Sequence, residues 1–269
     1  MTTAVTTHER SRQPAVTIRL TRIAGLVRHN LKLWLADVQV PIVLVGMPLA
    51  MMAFLRPVYR DTLATAGVAD ATGAEQAVPG MAVMFALLGA GIHAADLHRE
   101  RMWATWDRLR ASGARTGEIV VGKLLPPLLL VAGQVTVLFA AGVVLFGLEI
   151  RGTVAGLVSV AAAFAVAMLA LGLLLSATIR SITRLGAIGN ALAVALAGLG
   201  GAIVPLNTMP SWTTTLSPVT PGYWAMRGFQ AAILDPGRVA DVVVATLALS
   251  VFAALFAVIA AWRFRYGDA

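Results

Sequence analysis

The 269-residue sequence has no cysteine, which excludes disulfides and thiolate metal sites and leaves the redox compartment unread. Charge is also scarce. Only 13% of residues are charged, about half the share of a soluble domain. No Asp, Glu, Lys or Arg falls inside any of the long apolar runs; Asp37, Asp96 and Asp241 stand at their edges. Ion and proton pathways through a membrane usually need such groups at depth, so a cation-coupled mechanism is disfavoured. There is no G-x-S-x-G and no H-E-x-x-H, and the four histidines are His8, His29, His93 and His98. A membrane hydrolase is therefore not expected. No internal repeat is apparent, which argues against the repeat architectures of secondary transporters.

What the sequence has is length without charge. Apolar residues make up 58% of the chain, in runs long enough for the ~20 residues that a bilayer span requires. Six spans are expected, at residues 38–55, 79–95, 124–148, 154–179, 185–206 and 242–261. The chain is thus read as an all-α integral membrane protein whose six-span domain occupies residues 37–269. The first apolar run begins after about 35 residues, behind a polar segment, so no cleavable signal peptide is expected.

Lysine and arginine fix an expected orientation. Of the 21, 16 lie before span one, between spans two and three, between spans four and five, or after span six. The other five are Arg56, Arg60, Arg151, Arg227 and Arg238. By the positive-inside rule both termini face the cytoplasm. The net charge of +8 is spent flanking membrane spans, so no nucleic-acid partner is expected.

Three connections carry more than a turn. Residues 1–16 read as a flexible cytoplasmic tail. In residues 17–36, Leu20, Ile23, Val27, Leu31 and Trp34 recur at helical spacing, with Arg19, Arg22, His29 and Lys32 mostly opposite. That pattern predicts an amphipathic helix in the cytoplasmic interface. Residues 56–78 are polar and rich in Thr, Ala and Gly, and read as an external loop. Residues 207–238 are too broken by proline to span, yet carry Trp212, Tyr223, Trp224 and Phe229. They predict short re-entrant or interfacial helices on the outer side.

The stretch "GEIVVGKLLPP" at residues 117–127 mimics a nucleotide-binding P-loop through Gly117, Gly122 and Lys123. Leu124 stands where a Ser or Thr must ligate magnesium, and Pro126, Pro127 and an apolar run follow. ATP binding by this chain is not expected. The other notable stretch is the loop between spans two and three. There Met102, Trp103, Trp106 and Leu109 share one helical face, beside Arg101, Arg108 and Arg110. Its spacing leaves two readings open, a membrane-surface helix and a helix docked in a partner's groove. The span-borne polar residues Gln39, Gln134, Thr136, Ser176 and Asn190 are neutral, and read as interhelical hydrogen-bonding groups of roughly 0.6 kcal/mol each.

Arg99-Glu100-Arg101, Thr105, "WDRLRAS" and Gly122-Lys123 together resemble the type-2 ABC export permeases, including the daunorubicin-resistance type. Ala104 stands where that family has Gly. A second likeness is "MPSWTTTLSPVTPGYWAMRGF", similar to the family's external segment before the last span. The resemblance implies a permease subunit of an ATP-driven exporter of hydrophobic or amphipathic molecules, drug-like or lipid-like, in a bacterial inner membrane. It implies a cytoplasmic ABC ATPase in two copies, which holds the ATP and magnesium, and a second copy of this chain or a homologous permease. No cofactor, metal or catalytic residue is then expected in this chain. It also implies a cytoplasmic coupling helix between spans two and three that meets the ATPase through Glu100, Trp103, Trp106, Asp107, Arg108 and Leu109. Glu100 is expected to pair with Arg22 or Arg28 of the interfacial helix.

For such an exporter, Met47, Met51 and Phe54 in span one, Met84 and Phe85 in span two, and Asn190 in span five are candidates for the substrate path; ordinary packing or lipid contact is the competing reading of each. Gly186, Ala187, Asn190, Ala191, Val194, Ala195 and Gly198 form a stripe on span five that permits close helix approach. The alternatives are an ATP-independent secondary transporter and a purely structural membrane protein. An importer permease would need a longer loop than residues 180–184 for its coupling motif.

Overall fold

Apolar runs of membrane length can satisfy their backbone groups only within themselves or in a closed barrel. In the computed structural model, which describes residues 24–25, 27–33, 36–65, 71–102, 116–235 and 237–266, they do so as helices, and no strand occurs among the described residues. The chain runs through α1 (Gln39–Thr65), α2 (Ala74–Met102), α3 (Thr116–Phe146), α4 (Val154–Thr178) and α5 (Ile182–Leu199). The short α6 (Ser211–Leu216) and α7 (Pro221–Leu234) precede the last helix, α8 (Val239–Tyr266). Six of these, α1 to α5 and α8, are long and apolar enough to cross a membrane. Residues 1–16 and part of 17–36 lie outside the described residues; within that stretch, residues 24–25 and 27–33 are helical.

Helix ends differ from the expected spans where charge and helicity part company. α1 continues ten residues past 55, through Arg56, Pro57, Arg60 and Asp61, into the segment read as a loop. Charge ends an apolar run, but it does not end a helix. Inside α1 the turn widens to π geometry at Ile42–Gly46, and the Met47 N–H reaches the Ile42 carbonyl. Pro48 follows at once, and it has no N–H to give the Leu44 carbonyl. α2 starts at Ala74, where Thr72 Oγ1 accepts from the Ala74 N–H at 3.2 Å and Glu75 folds back onto the Thr72 N–H at 3.1 Å. That is a capping-box arrangement. α5 stops seven residues short of 206, because Gly200 and Gly201 follow and Gly201 takes φ +80°. Such a left-handed residue closes a helix and is open mainly to glycine.

α2 is the axis of the bundle. In its most apolar stretch 83% of residues are buried, against 22% in α1, α5 and α8 and 44% in α4. It packs on α1, α3, α4, α5 and α7. Its buried residues include many small ones, among them Ala77, Ala82, Ala86, Ala90 and Ala94. Between helices in lipid there is no water to expel, so contact must come from close packing. A methyl group on Gly80 would sit 2.2 Å from the Ala202 carbonyl oxygen, and Gly91 meets Gly189 of α5 backbone to backbone. The two contacts pair rising residue numbers in α2 with falling ones in and just after α5, so α2 and α5 are antiparallel.

α7 fills the gap at the end of the bundle where α1 hands over to α2, here the distal end. Thr220 caps it, accepting from the Tyr223 N–H at 3.2 Å, and Pro221 occupies the first turn. At fourteen residues it extends only about 21 Å, short of a span. Its inner face, with Ala225, Met226, Phe229, Ala232 and Ile233, is buried against α2, α4, α5 and α8. Phe229 sits between Phe139 of α3 and Phe164 of α4, at ring separations of 5.0 and 6.3 Å.

Gly80→Ala should lower the midpoint of thermal unfolding in lipid nanodiscs by several degrees, since its methyl meets backbone that cannot step aside. Gly133→Ala, with nothing within 4 Å of the added carbon, should keep that midpoint or raise it slightly, as alanine does in an open helix interior.

Candidate functional site

Neutral polar side chains buried among apolar helices must be paired or hydrated, and the two ends of the bundle do this differently. At the distal end the pairing is complete. Gln76, in the first turn of α2 and 1% exposed, donates through Nε2 to the Gly201 carbonyl at 2.8 Å. Its Oε1 accepts from Gln230 of α7 at 2.8 Å. Tyr59 donates its hydroxyl to the Ile203 carbonyl at 2.6 Å, tying the extension of α1 to the turn after α5. Arg56 Nε donates to the Thr72 carbonyl at 3.1 Å.

The charges of α7 and α8 at this end are also paired. Asp241 of α8 accepts from Arg227 Nη2 at 2.8 Å and from Arg238 Nε at 3.0 Å. The Asp241 carboxylate first, and then the Tyr223 hydroxyl, hold the Arg227 guanidinium charged and raise its pKa above the usual arginine value. The same guanidinium lies 5.8 Å from the Trp224 ring centroid. Being partly exposed, this network contributes by orientation more than by strength.

At the proximal end, where α2 finishes, the described polar groups gather around a cleft. Pro126 and Pro127 of α3 have no N–H for the carbonyls of Gly122 and Lys123. Asn30 Nδ2 approaches the Gly122 carbonyl at 3.5 Å, a long bond that fastens the N-terminal stretch to the start of α3. Beside it lies a cleft of about 40 Å³. Asn30, His93, Asp96 and Lys123 give it a polar wall, and Leu124, Pro127, Leu169 and Leu173 an apolar one. Asp96 also accepts from Arg99 Nη1 at 3.2 Å on the exposed side. A space of this size holds water and no drug-sized molecule. Among the described residues no three His, Cys, Asp or Glu side chains are placed to hold a metal ion.

The expected coupling residues Trp103, Trp106, Asp107, Arg108 and Leu109 lie outside the described residues, as does Arg22. Glu100 falls in the last turns of α2, its side chain not among those described, and Arg28 is exposed. The candidate substrate-path residues do not meet in one cavity of a single chain. Met47 and Phe54 are 48% and 80% exposed on the outside of α1, while Met51 and Met84 pack partly buried against the core. Phe85 is buried within the core and Asn190 is exposed on α5. Around Asn190 the stripe of Gly186, Ala187, Ala191, Val194 and Ala195 is likewise uncovered.

Of the five polar residues read as interhelical hydrogen-bonding groups, Gln39, Thr136 and Asn190 face outward. Thr136 bonds only the Ala132 carbonyl of its own helix, at 2.8 Å. Gln134 and Ser176 are buried and have no hydrogen-bond partner among the described residues. Among the neutral amides, Gln76 and Gln230 join helices. They flank the apolar runs, and a search confined to span interiors passes over them.

The family described as ABC-2 type transporter matches residues 21–234. Over 187 residues the chain is 25% identical to the linearmycin resistance permease protein LnrN of Bacillus subtilis, covering 70% of this chain and 48% of that protein. It is 27% identical over 146 residues to a probable multidrug ABC transporter permease, YbhR, of Escherichia coli, covering 54% and 39%. A third relative is ABC transporter G family member 20 of Dictyostelium discoideum, 33% identical over 137 residues, which are 50% of this chain and 18% of that protein. The matches thus span half or less of these relatives' own length.

Gln76→Leu should lower the unfolding midpoint by about 2–10 °C, because it strands the Gly201 carbonyl and the Gln230 amide in a dry interior. The check is a melt beside Thr136→Val, which removes only an intrahelical bond at an exposed position and should not move the midpoint.

Proposed function

The chain belongs to the ABC-2 type transporter family, and from that premise we propose that it is the permease subunit of an ATP-driven exporter. The cargo is a hydrophobic or amphipathic molecule, drug-like or lipid-like, moved out of the cytoplasm or the inner leaflet. The observation that carries this reading is a six-helix transport bundle with no acidic or basic side chain inside its apolar runs. Without such groups at depth the chain has no means of coupling to an ion gradient, so the driving force comes from a partner. The names of two relatives, a linearmycin resistance permease and a multidrug permease, support a drug-like or lipid-like cargo.

On this reading the partner is a cytoplasmic ABC ATPase in two copies, holding ATP and magnesium, and the permease is also doubled, by itself or by a homologue. The membrane is a bacterial inner membrane, with the proximal end and both termini cytoplasmic. The lysine and arginine distribution supports that orientation. The docking residues are Glu100, Trp103, Trp106, Asp107, Arg108 and Leu109, and Glu100 is steadied by Arg22 or Arg28. Closure of the ATPase pair pushes on this loop. α2 carries the push inward, because it continues directly into the loop and touches most of the bundle. The uncovered faces at Met47 and Phe54 of α1 and at Asn190 of α5 suit a path shared between two permease copies. A polar amide at mid-span is poorly placed against lipid and better placed against a second chain or a cargo.

Purification of the tagged chain in mild detergent should bring down an ATPase, detected as ATP hydrolysis and identified by mass spectrometry. The double change Trp106→Ala with Arg108→Ala should abolish that co-purification while membrane insertion is retained. A chain that purifies without nucleotide-dependent activity would contradict the exporter reading.

A further inference from the structure

A helix bends where its hydrogen bonds are interrupted, and the usual interruptions are proline, glycine and a widened turn. All three meet at the proximal end of α1, as Pro41, the π turn Ile42–Gly46 and Pro48. Pro48 has taken from the Leu44 carbonyl its ordinary donor. A methyl group on Gly46 would have nothing within 4 Å, so the turn has room on that side. The two parts of α1 that meet here are held very differently. Proximally, Val38, Ile42 and Met47 are 66%, 55% and 48% exposed, and from Gln39 to Gly46 only Leu44 is buried. Leu44 packs on α2 beside Gly89, whose bare backbone offers no side chain to lock it. The Asp37 N–H donates to the Leu33 carbonyl at 3.3 Å, which ties this arm to the helical stretch 27–33. Distally, Pro48, Met52 and Tyr59 are buried, and Tyr59 and Arg56 hydrogen-bond the Ile203 and Thr72 carbonyls. Pro57 also lies in α1, but between those two bonds and in α geometry.

We propose that the π turn with Pro48 is a hinge in α1. Residues 38–46 and the helical stretch ahead of them swing about it, while the rest of α1 stays fixed to α2 and to the turn after α5. A hinge needs backbone that can change its hydrogen bonds, few contacts on the moving side and firm ones on the other. The π turn supplies the first, because its carbonyls can pass between donors five and four residues on. The exposed arm supplies the second, and the Tyr59 and Arg56 bonds supply the third. Leu44, the one buried side chain of the arm, is the pivot. The competing account is that the wide turn merely accommodates Pro48, as π adjustments do in membrane helices, and leaves α1 rigid. The hinge stands on backbone geometry and exposure and does not depend on the transport reading.

Two nitroxides on α1 itself separate the accounts. Val38→Cys and Phe54→Cys place labels at exposed positions on either side of the turn, about 24 Å apart along a helix. The control is Val243→Cys with Ile259→Cys, at the same sequence separation on α8, which has no proline. Distances are read by electron–electron resonance on the full chain in lipid nanodiscs, diluted with unlabelled chain so that only pairs within one chain count. The distribution across the turn is expected to be about twice as broad as that on α8. Gly46→Ala, which favours α geometry and meets no neighbour, narrows it. Pro48→Ala, which returns a donor to the Leu44 carbonyl, narrows it to the α8 width. Because the Pro48 ring is buried, a melting curve accompanies that variant, and Gly46→Ala alone decides the matter where the fold is lost. Equal widths on α1 and α8 would show a rigid, accommodated turn and overturn the proposal. So would a broad distribution that Gly46→Ala leaves unchanged.

Discussion

Everything in this bundle depends on how closely other backbones come to α2. Lipid offers helices no hydrophobic drive to associate, so a helix that touches five others must do so through small side chains and short contacts. At Gly80 the Ala202 carbonyl occupies the place of a side chain, and at Gly91 the opposing residue is itself a glycine. These contacts set the separation of α2 from α5 and of α2 from the turn that follows α5. The position of α7, the aromatic stack on Phe229 and the hydrogen bonds of Gln76 follow from that separation.

Close packing leaves little tolerance for polar groups, and the two ends of the bundle resolve them differently. At the distal end Gln76, Gln230, Tyr59, Glu75 and Asp241 are all paired with named partners. At the proximal end Ser176 and the ring nitrogens of His98 have no hydrogen-bond partner among the described residues. Two consecutive prolines also break the backbone ladder of α3 there. A paired end resists deformation. In the proposed mechanism a partner pushes at the proximal loop while the paired distal end stays assembled.

Hydropathy made the six spans legible because lipid imposes one requirement on all of them. It left the rest of the architecture unread. α1 passes straight through Arg56, Arg60 and Asp61, since helix formation needs no apolarity, and α5 stops at two glycines within an apolar run. Among polar residues, position misled. Gln39 and Asn190 sit within spans yet face outward, while Gln76 and Gln230, outside the apolar runs, join helices. Periodicity could not distinguish these cases, because a central helix such as α2 is buried all round and has no polar face to orient it. The candidate path residues split for the same reason, with Phe85 turned to the core and Phe54 to the outside. The family resemblance, by contrast, rested on the loop after α2 and the segment before α8, and the family match extends across both.

The central claim is that a nucleotide-driven partner moves the proximal end of this chain. A cysteine-free sequence allows it to be tested with one introduced label. Arg99→Cys, at the exposed proximal end of α2, would carry a nitroxide in the purified complex, and the distance between labels on its two permease copies would be measured by electron–electron resonance. The account predicts a distance distribution that shifts when ATP and vanadate are added and stays put with ADP. Identical distributions in both states, in a complex that hydrolyses ATP, would contradict it.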